Sequence, residues 1–244
     1  MSRQQTLRKA HRAGNRGADP TGSLLQLRGA MPSYPDKEAL RNALAVHVRR
    51  DMLALPGRRN DRRSGVLVPI VWSPRPTVLV TLRPRHLARH GGEVCFPGGR
   101  PEPGDADLWA TAVREAEEEL GITGAEPLGR LSSIPLYTSD YRLDPFVAAI
   151  PDVPLTPDPG EVAAVYRLDL PEVLARPRVE GIAYAFEGRE HLAPYFDLAP
   201  GVVLFGATAI AFWELVLAVA PAFGATPPPV VPGRYRWSDL PQRA

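Results

Sequence analysis

Phe96-Pro97-Gly98-Gly99, and after a short interval Arg114-Glu115-Ala116-Glu117-Glu118-Glu119-Leu120-Gly121-Ile122, bound the most informative segment of this 244-residue chain. Pro97, Gly98, Gly99, Pro101, Pro103 and Gly104 interrupt any helix or central strand, so 97–104 reads as loop. Asp105 and Asp107 offer an N-cap to a helix that follows. Trp109, Ala112, Val113, Ala116 and Leu120 recur at helical spacing and are predicted to face a core. Gly121 is placed to end the helix in the left-handed conformation. Glu115, Glu118 and Glu119, at i, i+3 and i+4, are predicted to project from one flank. Three carboxylates this close repel one another, and a small hard cation such as Mg²⁺ removes the repulsion because it takes oxygen ligands. A solvated charged face, with Arg114 reaching Glu118 at i+4, is the alternative. The glycine loop upstream and Gly-Ile downstream weigh against it.

The stretch resembles the signature of the Nudix hydrolases: Gly, five residues, Glu, seven residues, then Arg-Glu-apolar-x-Glu-Glu-x-Gly-apolar. Arg114 to Ile122 matches at every specified position. The front end departs, because the residue reached from Gly99 is Asp105 rather than Glu, and eight residues separate it from Arg114. The resemblance implies a loop-bracing role for Asp105 and none at a metal. It also implies an α/β fold, the Nudix-type α/β/α sandwich with a mixed sheet between helices. Mg²⁺ or Mn²⁺ would be held by Glu115, Glu118 and Glu119, with the Gly99 carbonyl as a further ligand. Arg114 would orient a carboxylate of that set by a salt bridge.

Composition sets broader bounds. Apolar residues make up 44% of the chain, ordinary for a globular protein. The single cysteine, Cys95, excludes a disulfide framework within the chain and fits a reducing cytoplasm. Its Val-Cys-Phe setting reads as a buried strand rather than a catalytic thiol. Formal net charge is +2, yet residues 1–20 hold five basic residues and one acid, which leaves 24 basic and 26 acidic residues elsewhere. The positive balance belongs to an arm, which argues against a nucleic-acid-binding fold. No apolar run follows that arm as a secretory signal would require. The segment 202–223 is long enough to span a bilayer, but it carries Glu214, Gly206, Thr208 and Pro221 and lacks a basic flank, so it reads as a buried helix.

Three regions follow: a basic, disordered arm over 1–35, a Nudix domain over 36–222 and a Pro-rich tail over 223–244, also read as disordered. A helix is predicted to start near Asp36 and carry a stripe of Leu40, Leu44, Val48, Met52 and Leu55, ending at Pro56-Gly57. Arg58, Arg59, Arg62 and Arg63 form a basic loop, read as solvated or else as a rim that attracts phosphate. Strands are predicted over 66–72, 77–83, 128–134, 146–150 and 162–168. A short helix near 171–174, a hairpin of 182–186 with 192–196, and a helix over 207–219 complete the domain.

The run from Leu79 to Gly99 also resembles the extra signature of the coenzyme A pyrophosphatase branch of the Nudix enzymes, matching at Arg83, Arg89, Gly92 and Phe96 to Gly99. Thr138-Ser139-Asp140-Tyr141, Pro145-Phe146-Val147 and Gly206-Ala207-Thr208-Ala209 add to that likeness. Arg83, Arg89, Gly98 and Gly99 are then expected to bind substrate, since guanidinium forks hold phosphate oxygens bidentately and stay charged. Surface charge is the alternative for both arginines. His86 and His90 lack the companions a zinc site needs, and Glu161 reads as a strand-edge charge or a late-loop base. The implied reaction is metal-assisted cleavage of coenzyme A to 3′,5′-ADP and 4′-phosphopantetheine in the cytoplasm, by a monomer or homodimer with no membrane or specific nucleic-acid partner. Other diphosphates (ADP-ribose, NADH, a nucleoside triphosphate) and a non-catalytic nucleotide- or RNA-binding module are the competing readings.

Overall fold

Strands β1 (Arg62–Trp72) and β2 (Pro76–Leu82) begin side by side and then separate. They pair antiparallel only over Ile70–Trp72 and Pro76–Val78. Two short strands fill the gap that opens: β3 (Val94–Cys95) bonds to β2, and β4 (Gly98–Gly99) bonds to β1. The predicted glycine loop is thus held between diverging strands, and the Leu67 N–H donating to the Pro97 carbonyl at 2.9 Å fastens it further.

The computed structural model describes residues 33–186 and 188–240. Helix α1 (Lys37–Val46) precedes β1, and α2 (Leu108–Leu120) follows β4. Then come β5 (Glu126–Arg130), β6 (Ile134–Pro135), β7 (Tyr141–Ala149), β8 (Ala164–Asp169) and α3 (Leu170–Leu174). The last part holds β9 (Val179–Phe186), β10 (Arg189–Pro194), β11 (Phe196–Ala199), β12 (Val202–Leu204), α4 (Gly206–Val219) and β13 (Val230–Pro232). The main sheet has eight strands with the order β3-β2-β1-β7-β5, while β4, β6 and β8 pair with β1, β7 and β2. Because β1 and β7 run parallel and the other pairings are antiparallel, the sheet is mixed.

Both faces of this sheet are covered, which is why its central strands read as nearly unbroken apolar runs. Val66, Val68 and Ile70 pack on one side with Leu40 and Leu44 of α1 and Phe212, Leu215 and Val216 of α4. Leu67 and Val71 pack on the other with Ala112, Ala116 and Leu120 of α2. This is the α/β/α sandwich expected. The segment 206–223 passes a test of length and apolarity for a membrane span, but Phe212, Leu215, Val216 and Val219 are fully buried in the core.

Three expectations are corrected. Helix α1 stops at Val46, and Val48 is exposed rather than part of a buried stripe. Beyond it the chain pairs with the segment after β5: Arg50 N–H donates to Ser132 Oγ, Met52 N–H to the Ser133 carbonyl, and Ser133 N–H to Asp51. These tertiary bonds take the backbone groups a longer helix would have used. The strand predicted over 128–134 is two strands, β5 and β6, separated by that same crossing segment. The Pro-rich tail is ordered over its described part: β13 pairs in parallel with the outer edge of β9, Gly233 N–H donates to the Gly181 carbonyl at 2.8 Å, and Leu240 is buried. Proline tolerates this position because an edge strand need not donate on both sides. The expected disorder of the arm falls on residues 1–32, outside the described residues.

The basic loop is more structured than either expectation. Asn60 is buried, with φ of 45°. Its Nδ2 donates to the carbonyls of Leu136, Ser139 and Tyr141, and its Oδ1 accepts from Leu55 N–H. Arg58 reaches the Tyr137 carbonyl, and Arg63 is ion-paired with the buried Asp144. Replacing Asn60 with Ala strands several buried backbone groups, so Asn60→Ala is expected to lower unfolding free energy by about 3 kcal/mol in urea titrations.

Candidate active site

Helix α2 is built as its sequence dictates. The Asp107 side chain caps it by accepting from Ala110 N–H at 2.8 Å, and Gly121 ends it at φ 68°. Gly121 N–H donates to the Glu117 carbonyl, the bond of an αL end, and Ile122 N–H reaches back to the Ala116 carbonyl. Ile122 is buried beneath them.

Asp105 does not share the cap. Its carboxylate accepts from Glu102 N–H, from Thr111 Oγ and from both Nε and Nη2 of Arg114, at 2.9 to 3.2 Å. These donors hold its pKa well below the usual carboxylate range, the Arg114 bond most of all. Asp105 therefore braces the loop against the helix, one residue out of register with the family pattern. The Thr111 hydroxyl, which sequence reading passed over, completes the brace.

Arg114 is the hub. Besides Asp105 it donates to the Arg100 carbonyl at 3.1 Å, Glu115 at 3.0 Å and Glu118 at 2.9 Å. Asp105 first and Glu115 next stabilise its charge and raise its pKa further.

The three glutamates do not converge. Glu119 is buried and faces the glycine loop: Gly98 N–H lies 3.4 Å from its Oε1, and its Oε2 has no hydrogen-bond partner. Glu115 is partly buried and lies against Gly99, where a Cβ would overlap its carboxylate. A methyl group at position 99 would turn that carboxylate aside. Glu118 is mostly exposed and bonded to Arg114 at i+4, the arrangement of a solvated helix face. Among the described residues no group of three or more His, Cys, Asp or Glu side chains is gathered as a metal site.

Burial raises the pKa of Glu119 to about 8, opposed by the Gly98 bond and the charge of Arg83, and reinforced by Glu161 and Glu115. Burial also raises Glu115, against the pull of Arg114, and Glu118 and Glu161 add to the rise. Glu161 sits in the turn before β8, not on the strand edge, and its charge reaches both site carboxylates. Arg83 is partly buried at the end of β2, where its charge acts on Glu119 and on Cys95. Arg89 is exposed in the turn that follows and is not drawn to the carboxylates. Cys95 is held against Thr81 Oγ at 3.3 Å, and burial pushes its thiol up to about 11, away from nucleophilic use. His90 pairs with Glu93 rather than with His86.

The NUDIX domain model matches residues 61–187, just over half of the chain and the whole of the site described above. The chain belongs to the Nudix family. A relative from Yersinia pestis (strain Pestoides F), an uncharacterized Nudix hydrolase called NudL, is 38% identical over 153 residues, covering 61% of this chain and 75% of its own length. A NUDIX hydrolase structure from Nitrosomonas europaea aligns over 78% of this chain and 85% of its own, with a TM-score of 0.42 at 15% identity. The NUDIX domain of Shewanella oneidensis NrtR, crystallised with ADP ribose, aligns over 56% of this chain and 86% of its own, at 17% identity and a TM-score of 0.38.

The residues of this Nudix hydrolase fit a divalent cation at Glu115 and Glu119. Glu119 presents a buried oxygen with no partner, and two further carboxylates raise the proton affinity at the site. Ionising Glu119 costs stability in the metal-free protein. The folded group titrates near 8 and the unfolded one near 4.5. The stabilisation is therefore complete below 4.5 and is lost as pH rises through 8. In EDTA, Glu119→Gln is expected to be more stable than the parent at pH 8.5 by about 4 kcal/mol, and equally stable at pH 4. Urea titrations at the two pH values measure both terms.

Proposed function

We propose that this Nudix hydrolase cleaves the diphosphate of coenzyme A or its derivatives, to 3′,5′-ADP and 4′-phosphopantetheine, with Mg²⁺ or Mn²⁺ as cofactor. The observation that carries the reading is the excursion between β2 and β4. The run that resembles the coenzyme A branch leaves the sheet at Arg83, returns at Val94-Cys95 and ends at Gly98-Gly99. Arg83 N–H donates to the Glu93 carbonyl and Gly92 N–H to the Arg83 carbonyl, so the run closes on itself. Its first arginine therefore has its charge felt at Glu119, which suits an anionic substrate.

Glu115 and Glu119, with the Gly99 carbonyl, would hold the metal. Glu118, bonded to Arg114 at the surface, would be the third ligand if it turned from that partner. The metal supplies charge neutralisation at the phosphates and a more acidic water. The chain supplies the rest. Arg114 fixes Glu115 and the Arg100 carbonyl, and so sets the distance between helix and loop. Arg83 lends positive charge to the phosphates, and Arg89 is available from the exposed turn. Glu161 and Glu115, whose charges both act on Glu119, are the groups on hand to accept a proton from water.

The test is hydrolysis of coenzyme A, ADP-ribose, NADH and a nucleoside triphosphate, each with Mg²⁺ and with EDTA. Coenzyme A is expected to give the highest kcat/KM, and a higher value for ADP-ribose would overturn the substrate assignment. Glu119→Gln is expected to lose about 100-fold in kcat with its fold retained, since one ligand charge is removed. Gly99→Ala is expected to lose a comparable factor, because the methyl group displaces the Glu115 carboxylate.

A further inference from the structure

Two guanidinium groups lie over one partly exposed aromatic ring at the rim of the site. The carbon at the centre of the Arg100 guanidinium is 4.6 Å from the centroid of Tyr141, and that of Arg62 is 5.8 Å away. Arg100 directly follows Gly99, and its carbonyl is held by Arg114. Arg62 is the cross-strand partner of Tyr141, and its N–H donates to the Asp140 carbonyl. Asn60 and Ser139 pin the backbone around the ring. The cluster is therefore rigid in its backbone and one side chain away from the glycine loop.

Charge balance separates these two arginines from their neighbours. Arg59 is paired with Asp61 and Asp140, Arg63 with Asp144, and Arg114 with three acids. Among the described residues neither Arg62 nor Arg100 has an ion-pair partner, and both are exposed. A cation over an exposed ring gains only about 0.5–1 kcal/mol, too little to explain two uncompensated charges gathered on one tyrosine. An anionic, planar ligand would satisfy the whole cluster. Stacking on an aromatic or guanidinium plane binds bases of any sequence, and guanidinium forks bind phosphate.

We propose that Tyr141, Arg100 and Arg62 form the subsite for the nucleoside end of the substrate. The purine stacks on the plate made by Arg100 and Tyr141, and Arg62 takes a phosphate carried on the ribose. The ligand class is a purine nucleotide with a second phosphate beyond the one being cleaved. This rests on the reading of a nucleoside diphosphate substrate and narrows it; Arg62 belongs to the loop read from sequence as solvated or else as a phosphate rim, while Arg100 carried no sequence expectation.

The experiment is calorimetric binding of adenosine 3′,5′-bisphosphate and of AMP to the full chain in Mg²⁺, for the parent, Arg62→Gln and Tyr141→Leu. The parent is expected to prefer the bisphosphate by about tenfold. Arg62→Gln is expected to lose that preference while binding AMP as before, and Tyr141→Leu to bind both ligands about tenfold more weakly. Equal binding of the two nucleotides by the parent, or parent-like binding by both variants, would overturn the proposal. Because no turnover is read, the two readings fail separately. Absence of coenzyme A hydrolysis with the binding pattern intact refutes only the activity. Coenzyme A hydrolysis with unchanged binding in both variants refutes only the subsite.

Discussion

One guanidinium joins the two halves of the site. Arg114 is part of the helix, yet its N–H groups reach the loop at Asp105 and Arg100 and reach along the helix to Glu115 and Glu118. A lysine at this position has a single charged nitrogen and could not span these directions at once. The cost of immobilising a long side chain is offset by bonds to ionised partners, each stronger than a neutral hydrogen bond. The separation between helix and glycine loop follows from this one residue, and with it the place where Glu115 and Glu119 face the backbone.

The second constraint is the divergence of β1 and β2. Strands that stayed paired along their whole length would leave no gap for Val94 to Gly99. Because they part after Ile70 and Val78, the glycine segment enters the sheet as two short strands and presents its backbone to α2. Glycine at 99 permits the contact with Glu115, and burial of Glu119 beneath the loop creates the raised proton affinity. The electrostatics of the site are thus a product of sheet geometry, not of the acidic residues alone.

Much of this was legible in the sequence, because the signals were local. Proline and glycine marked the loop, Asp107 and Gly121 bounded α2, and apolar runs marked β1, β2 and β7. The long buried helix α4 was legible from its composition and its interior Glu214. What escaped were features set by distant partners. The end of α1 depends on Ser132 and Ser133, eighty residues away along the chain. Periodicity alone cannot register that competition. The order in the tail arises from β9, whose free edge is invisible in a proline count.

That strand at the tail has a bearing on how the chain is made. Val179 of β9 pairs with Val230 of β13, so the small sheet has an open flank throughout synthesis of the intervening fifty residues. The main sheet has no such debt, since its last strand ends at Asp169. A nascent chain can therefore pair the strands of its main sheet before β13 emerges to seal the smaller one. In that interval the unpaired edge of β9 is open to mispairing with another chain.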